Sequence, residues 1–213
     1  MEPNATWGRS DWGAIRPQRL AEAGIDSYRA DLRNNVRALW GGDWDMSNFV
    51  ASMTDTVERG VMGAWREGAA QAGVAEDELT PAELDARLAF MWAQWTHIPS
   101  FAVAIEAGSR ANDGKLAPLN NRVDLWANQY NSAVIRAYAM AGQDLKGVWI
   151  YGPTEHCSTC AGLHGKVKRM SYWAAHVLPQ NAPNPRLSCG GWRCQCRIEP
   201  TDAPMSRGRL PGV

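Results

Sequence analysis

The sequence predicts a mainly α protein: a helical N-terminal bundle followed by a small, irregular α+β, cysteine-rich C-terminal module stapled by zinc. Three observations predict it. Apolar residues recur at three- and four-residue steps through most of the first 145 positions, which is the period of one helix face. All five cysteines lie between Cys157 and Cys196, with none in the 156 residues before them. The run Val148-Trp149-Ile150-Tyr151 reads as a strand leading into that cysteine segment. The expected organisation is an N-terminal arm (1–18), a helical domain (19–145), the cysteine-rich module (146–200) and a mobile Pro/Arg/Gly tail (201–213).

The elements follow in order. Ile25, Tyr28, Leu32, Val36 and Leu39 line one face of a helix from Arg19 to Trp40, which Gly41-Gly42 ends. Asp45 or Ser47 caps a second helix carrying Phe49, Met53, Val57, Val61 and Trp65 and ending near Gly73. Gly60, Gly63 and Gly68 lower its propensity and leave room for a close neighbour. Thr80-Pro81-Ala82-Glu83 is a strong start signal, a capping threonine with proline at the first helical position and glutamate three residues on. The helix it opens carries Leu84, Leu88, Met91 and Trp95, and Pro99 ends or kinks it. Phe101 to Ile105 is too short for periodicity to distinguish helix from strand. Asn112-Asp113-Gly114 is a turn. From Asn121 a further helix carries Val123, Trp126, Tyr130, Val134 and Tyr138 and closes near Gly142. Beyond it, Pro179, Pro183 and Pro185 make the spacer between the cysteine groups an irregular loop, and Cys194 to Ile198 forms a short partnering strand.

Composition narrows the class. A 213-residue chain with 45% hydrophobic and 21% charged residues is ordinary for a globular protein. No run of about 18 apolar residues reads as a membrane span, and Met1-Glu2-Pro3-Asn4 reads as neither a basic nor an apolar signal segment, so the chain is expected in a reducing cytoplasm. There, five cysteines favour metal over a disulfide framework. The formal charge is zero, yet residues 157–213 carry eight Lys/Arg against Glu199 and Asp202, a net +6, which leaves −6 on residues 1–156. A four-thiolate zinc would reduce the C-terminal excess to about +4, enough to touch DNA or an acidic protein surface. Of eleven tryptophans, Trp40, Trp65, Trp92, Trp95 and Trp126 fall on or beside apolar stripes and belong in the core. Trp7, Trp12 and Trp192 sit in loop-like sequence and are interface candidates.

The chemistry concentrates in His156-Cys157-Ser-Thr-Cys160 and Cys189-Gly-Gly-Trp-Arg-Cys194-Gln-Cys196. Two close-spaced thiol groups on either side of a spacer are what a tetrahedral zinc site needs, since each short loop presents two thiolates. Cys157 and Cys160 form one half, and two of Cys189, Cys194 and Cys196 the other; free thiols and a disulfide are the competing readings. His156, His164 and His176 can substitute as ligands. An all-thiolate shell has no position for a catalytic water, which points to a folding role. Other chemistries fail on named residues: Ala161 follows Cys160 where a heme attachment needs histidine, no βαβ context supports a thioredoxin-like pair, and no His-x-Glu accompanies the thiols as in a nucleobase deaminase. Phosphate-loop, nucleophile-elbow and His-Glu-x-x-His patterns are missing too, so an enzyme is not expected.

The order of parts resembles the minor head (head-morphogenesis, MuF-like) family of tailed bacteriophages. The residues that carry the resemblance are the helix 122–142, Val148-Trp149, Cys157-Ser-Thr-Cys160, Leu163-His-Gly165, the proline-rich spacer, and Arg193-Cys194-Gln-Cys196-Arg197-Ile198, covering roughly 120–200. Where that family places a proline–histidine element before its final cysteine pair, this chain has Leu187-Ser188-Cys189-Gly190-Gly191-Trp192, so Cys189 takes the histidine's place. The resemblance implies a structural protein of the virion, present in the host cytoplasm during assembly. Its partners would be the portal or capsid protein, and its tasks head assembly and DNA packaging or delivery. DNA contact through the basic C-terminal segment is a further partner expectation. Two rivals remain open at this point: a zinc-ribbon-like DNA-binding module, and a metal-dependent nuclease or hydrolase, which would need an open coordination position.

Overall fold

The computed structural model describes residues 17–143, 145–152, 156–180, 183–191 and 194–211, with side chains in the first helix described from residue 24. Its elements run α1 (Pro17–Gly41), α2 (Met46–Gln71), α3 (Pro81–Trp95), α4 (Ile98–Ala107), α5 (Leu116–Ala141), β1 (Lys146–Ile150), α6 (Ser158–Leu163), β2 (Val167–Arg169), α7 (Met170–His176) and β3 (Arg197–Pro200).

The chain is mainly helical because the period-3.6 stripes are long enough to bury against one another. Leu32 and Val36 of α1, Phe49, Met53, Val57 and Trp65 of α2, Ile98, Phe101 and Ile105 of α4, and Val123 and Ala133 of α5 are all fully buried in one core. Helix starts are fixed by side chains. The Asp45 carboxylate accepts from Asn48 N at 2.8 Å. At α3, Thr80 Oγ1 accepts from Glu83 N at 3.3 Å while Glu83 Oε2 accepts from Thr80 N at 2.9 Å, the reciprocal cap that the sequence spells out. The α2 glycines serve close approach: a side chain at Gly60 would run into the Tyr28 ring, and one at Gly68 into Val134 O and Ala137.

Phe101 to Ile105 lies in a helix, and Pro99 begins it, in the first turn of α4 where proline's missing N–H costs nothing. A larger departure concerns α3. Trp92, expected in the core, is 59% exposed, and Leu84 and Leu88 are 40% and 45% exposed. Two faces of this helix compete for the core. The buried one runs through Glu83, Phe90 and Met91, because Glu83 turns back into the cap and Arg136 of α5 lies over the Phe90 ring at 5.3 Å. The Leu84-Leu88-Trp92 stripe is thereby turned outward.

A second core forms beyond α5, and α5 contributes to both. Tyr138 and Ala139 pack with Trp149, Leu163, Met170, Trp173, Leu187, Ile198 and Leu210. The Trp149 and Trp173 rings lie 5.5 Å apart, and Trp173 Nε1 donates to Gly147 O at 2.9 Å. Over this core lies an antiparallel three-stranded sheet in the order β2-β1-β3, with Val148 opposite Val167 and Trp149 opposite Ile198. The spacer is less irregular than expected, since it holds β2 and α7. Asn184 organises the rest: Nδ2 donates to Leu178 O at 3.1 Å and Oδ1 accepts from Arg186 N at 3.1 Å.

The segment expected to be a mobile tail is laid against β2 over residues 201–211. Ser206 N donates to Val167 O at 3.0 Å, and Val167 N donates to Ser206 Oγ at 3.0 Å. Lys168 Nζ donates to the carbonyls of Ser206 and Gly208, and Lys146 Nζ to those of Asp202 and Ala203. Leu210 enters the second core. Lys146 of β1 and Lys168 of β2 thus hold the tail in place.

Candidate metal centre

Each thiol is positioned by a different local device. Cys157 caps α6, its sulfur accepting from Cys160 N at 3.4 Å, so the first turn of a six-residue helix presents Cys157 and Cys160 together. Cys189 sits in a tight turn where Gly190 and Gly191 take φ values of 66° and 79°, a conformation that favours glycine. That turn is latched to α6 by hydroxyls: Ser188 Oγ lies 3.0 Å from Ser158 Oγ and 2.6 Å from Thr159 Oγ1. Cys194 and Cys196 precede β3, which begins at Arg197. The strand expected over Cys194 to Ile198 therefore starts later, and Gln180 Nε2 anchors the approach by donating to Cys196 O at 2.8 Å.

The five sulfurs converge. All are free thiols. Those of Cys157, Cys160 and Cys189 lie within 4.8 Å of one another, as do those of Cys160, Cys194 and Cys196. Cys160, 1% exposed, belongs to both groups. This is near enough to hold a metal ion, and the donor set fits a thiophilic one, since thiolate sulfur suits zinc-like ions and not calcium or magnesium.

Their protonation is uneven. At Cys196, bonds from the Cys160 and Cys194 thiols bring the pKa down to about 3, while Cys160, which those bonds leave as the proton donor, is pushed far up. Burial pushes Cys189 up. At Cys157 burial acts upward too, but donors from Cys160 and Cys189 outweigh it and the pKa falls. At Cys194 the bond with Cys160 lowers, the bond with Cys196 and burial raise, and the net is upward. Cys196 is thus the first thiolate an arriving cation meets, and thiols still protonated release their protons on binding.

The histidines take other work. His156 and His164 place their rings against Tyr151, at centroid distances of 4.0 and 3.8 Å, and His164 Nδ1 accepts from Tyr151 N at 3.3 Å. His176 stacks on Tyr172 at 3.9 Å and bonds its carbonyl. Among the described residues, none of the three joins either thiol group. Trp7, Trp12 and Trp192 lie outside the described residues. The outward face of α3 is what residue-level reasoning missed, because Leu84, Leu88 and Trp92 have the spacing of a core stripe and are nonetheless exposed.

Fold and site define a class: a mainly helical protein whose small C-terminal strand-and-helix region gathers five thiols near enough to bind a metal. No family model matches this sequence, no curated protein matches it, and no solved structure matches its fold. Among the described residues, no helix is long and apolar enough to cross a membrane.

Proposed function

We propose that this chain is a structural assembly protein of a phage head, a minor head protein that associates with the portal and whose C-terminal module is stapled by zinc. One observation carries the reading: the thiols come from three separate segments (the first turn of α6, the Leu187–Gly191 turn and the approach to β3) and converge where the hydroxyl latch and the small second core bring those segments together. A metal there ties the module together. Four or more thiolates from Cys157, Cys160, Cys189, Cys194 and Cys196 would hold it, and the ion would supply folding free energy, on the order of 10 kcal/mol at neutral pH in zinc-finger peptides.

The helical part supports the same reading by offering a docking surface. Leu84, Leu88 and Trp92, at four-residue steps on α3, expose a continuous apolar stripe, and exposed tryptophan in such a patch is characteristic of interfaces. The order of sequence parts from 120 to 200 supplies the phage assignment. Coexpression with the portal and capsid proteins of the same genome tests it. The chain should copurify with portal and enter assembled heads, and Leu88→Asp/Trp92→Asp should abolish the association while leaving the far-UV circular dichroism unchanged. A chain that stays out of heads and ignores portal contradicts the reading. Binding to duplex DNA that weakens steeply with added salt would instead favour a DNA-binding module.

A further inference from the structure

We propose that the five thiols form a two-ion centre in which the sulfur of Cys160 bridges. The inference rests on the metal-staple reading and concerns how many ions the staple contains. A single tetrahedral ion with metal–sulfur bonds of about 2.3 Å requires four sulfurs that are all neighbours, each about 3.8 Å from the other three. The thiols are not arranged that way. Their proximity divides into Cys157-Cys160-Cys189 and Cys160-Cys194-Cys196, and no set of four described cysteines lies within 4.8 Å of one another.

The local architecture follows the same division. Cys157 and Cys189 are held together by the Ser158, Thr159 and Ser188 hydroxyls, and Cys194 and Cys196 by the chain itself, one residue apart. Cys160 stands between the two pairs on the first turn of α6 and is more deeply buried than Cys157, Cys189 or Cys194, as a sulfur enclosed by two ions would be. Charge points the same way. Five thiolates around two divalent ions leave about −1, whereas four around one leave about −2 and a fifth thiol without a role, and even a partly buried site favours the smaller charge. Binding is proton exchange: each thiol still protonated gives its proton to solvent, a metal–sulfur bond takes its place, and nothing is oxidised or reduced. Each ion would then have three sulfur ligands and a fourth position left for a non-thiol ligand, unlike the closed four-thiolate shell of a single ion.

The test is the zinc stoichiometry of the reduced full chain, titrated anaerobically with Zn²⁺ and read by native mass spectrometry. The wild type should take two ions, Cys189→Ser and Cys196→Ser one each, and Cys160→Ser none. One ion in the wild type, with one outer cysteine dispensable, overturns the bridge and leaves the single-ion staple standing; no ion overturns both. Because a variant can fail to fold, the wild type loaded with ¹¹³Cd²⁺ gives an independent reading. Two cadmium resonances coupled to each other are expected, and a single resonance overturns the proposal.

Discussion

The helical bundle and the cysteine module are built on different principles, and α5 belongs to both. In the bundle, helices of up to 26 residues bury long periodic stripes, so many interchangeable apolar contacts share the stability. In the module the helices have six and seven residues and the strands three to five. Elements that short cannot hold themselves. The module relies on a few particular groups: the Trp149–Trp173 pair, the lysine–carbonyl bonds to the tail and the five thiols. The lesson is that distributed packing tolerates single changes, whereas a small core with specific ties does not.

The largest expected effect breaks the module alone. Cys160→Ser removes the one thiol common to both groups, and it should cost the module metal stabilisation on the order of 10 kcal/mol while the bundle keeps its thermal transition, which tryptophan fluorescence and calorimetry will separate. Next come the large buried aromatics. Trp65→Ala in the bundle and Trp173→Ala in the module should each cost about 3–5 kcal/mol by denaturant unfolding, but only Trp173→Ala should also weaken metal binding. A smaller effect sharpens the contrast from the bundle side. Thr80→Ala removes the α3 cap and should cost about 1 kcal/mol, with metal content unchanged.

The smallest expected effect lies in the bundle's pH response. Burial raises the Glu67 carboxyl above its ordinary value, partly offset by the hydrogen bond from Tyr130 Oη at 3.0 Å. A raised carboxyl favours the folded state in its protonated form. That contribution is complete below about pH 4.3, the unfolded value, and is lost as pH rises through the folded one. Glu67→Gln should flatten the stability profile across that window, measured as the melting temperature between about pH 4 and 7. An unchanged slope would contradict the assignment.

Legibility followed the same divide. Tyr28-Leu32-Val36-Leu39, Phe49 to Trp65 and Thr80-Pro81-Glu83 announce their helices because period and caps are local properties of the chain. The rotation of α3 is not local: Leu84, Leu88 and Trp92 have the spacing of a core stripe, and only Arg136, far along in sequence, and the Glu83 cap decide which side faces in. Short α6 and α7 span fewer than two full turns, too few for a period to be counted. The docking of 201–211 depends on lysine bonds to main-chain carbonyls, which no side-chain pattern encodes. The candidate site was legible as residue types and spacing. That Cys160 is the shared member of two thiol groups was not, because it depends on the Leu187–Gly191 turn being latched to α6.

The bundle is held by packing, and the module is proposed to be held by metal. Hydrogen–deuterium exchange of the reduced chain, zinc-loaded and after chelation, tests it most directly. Protection should collapse across 145–211 on chelation and persist in α1 through α4 and most of α5. Equal protection of 145–211 with and without metal would contradict it.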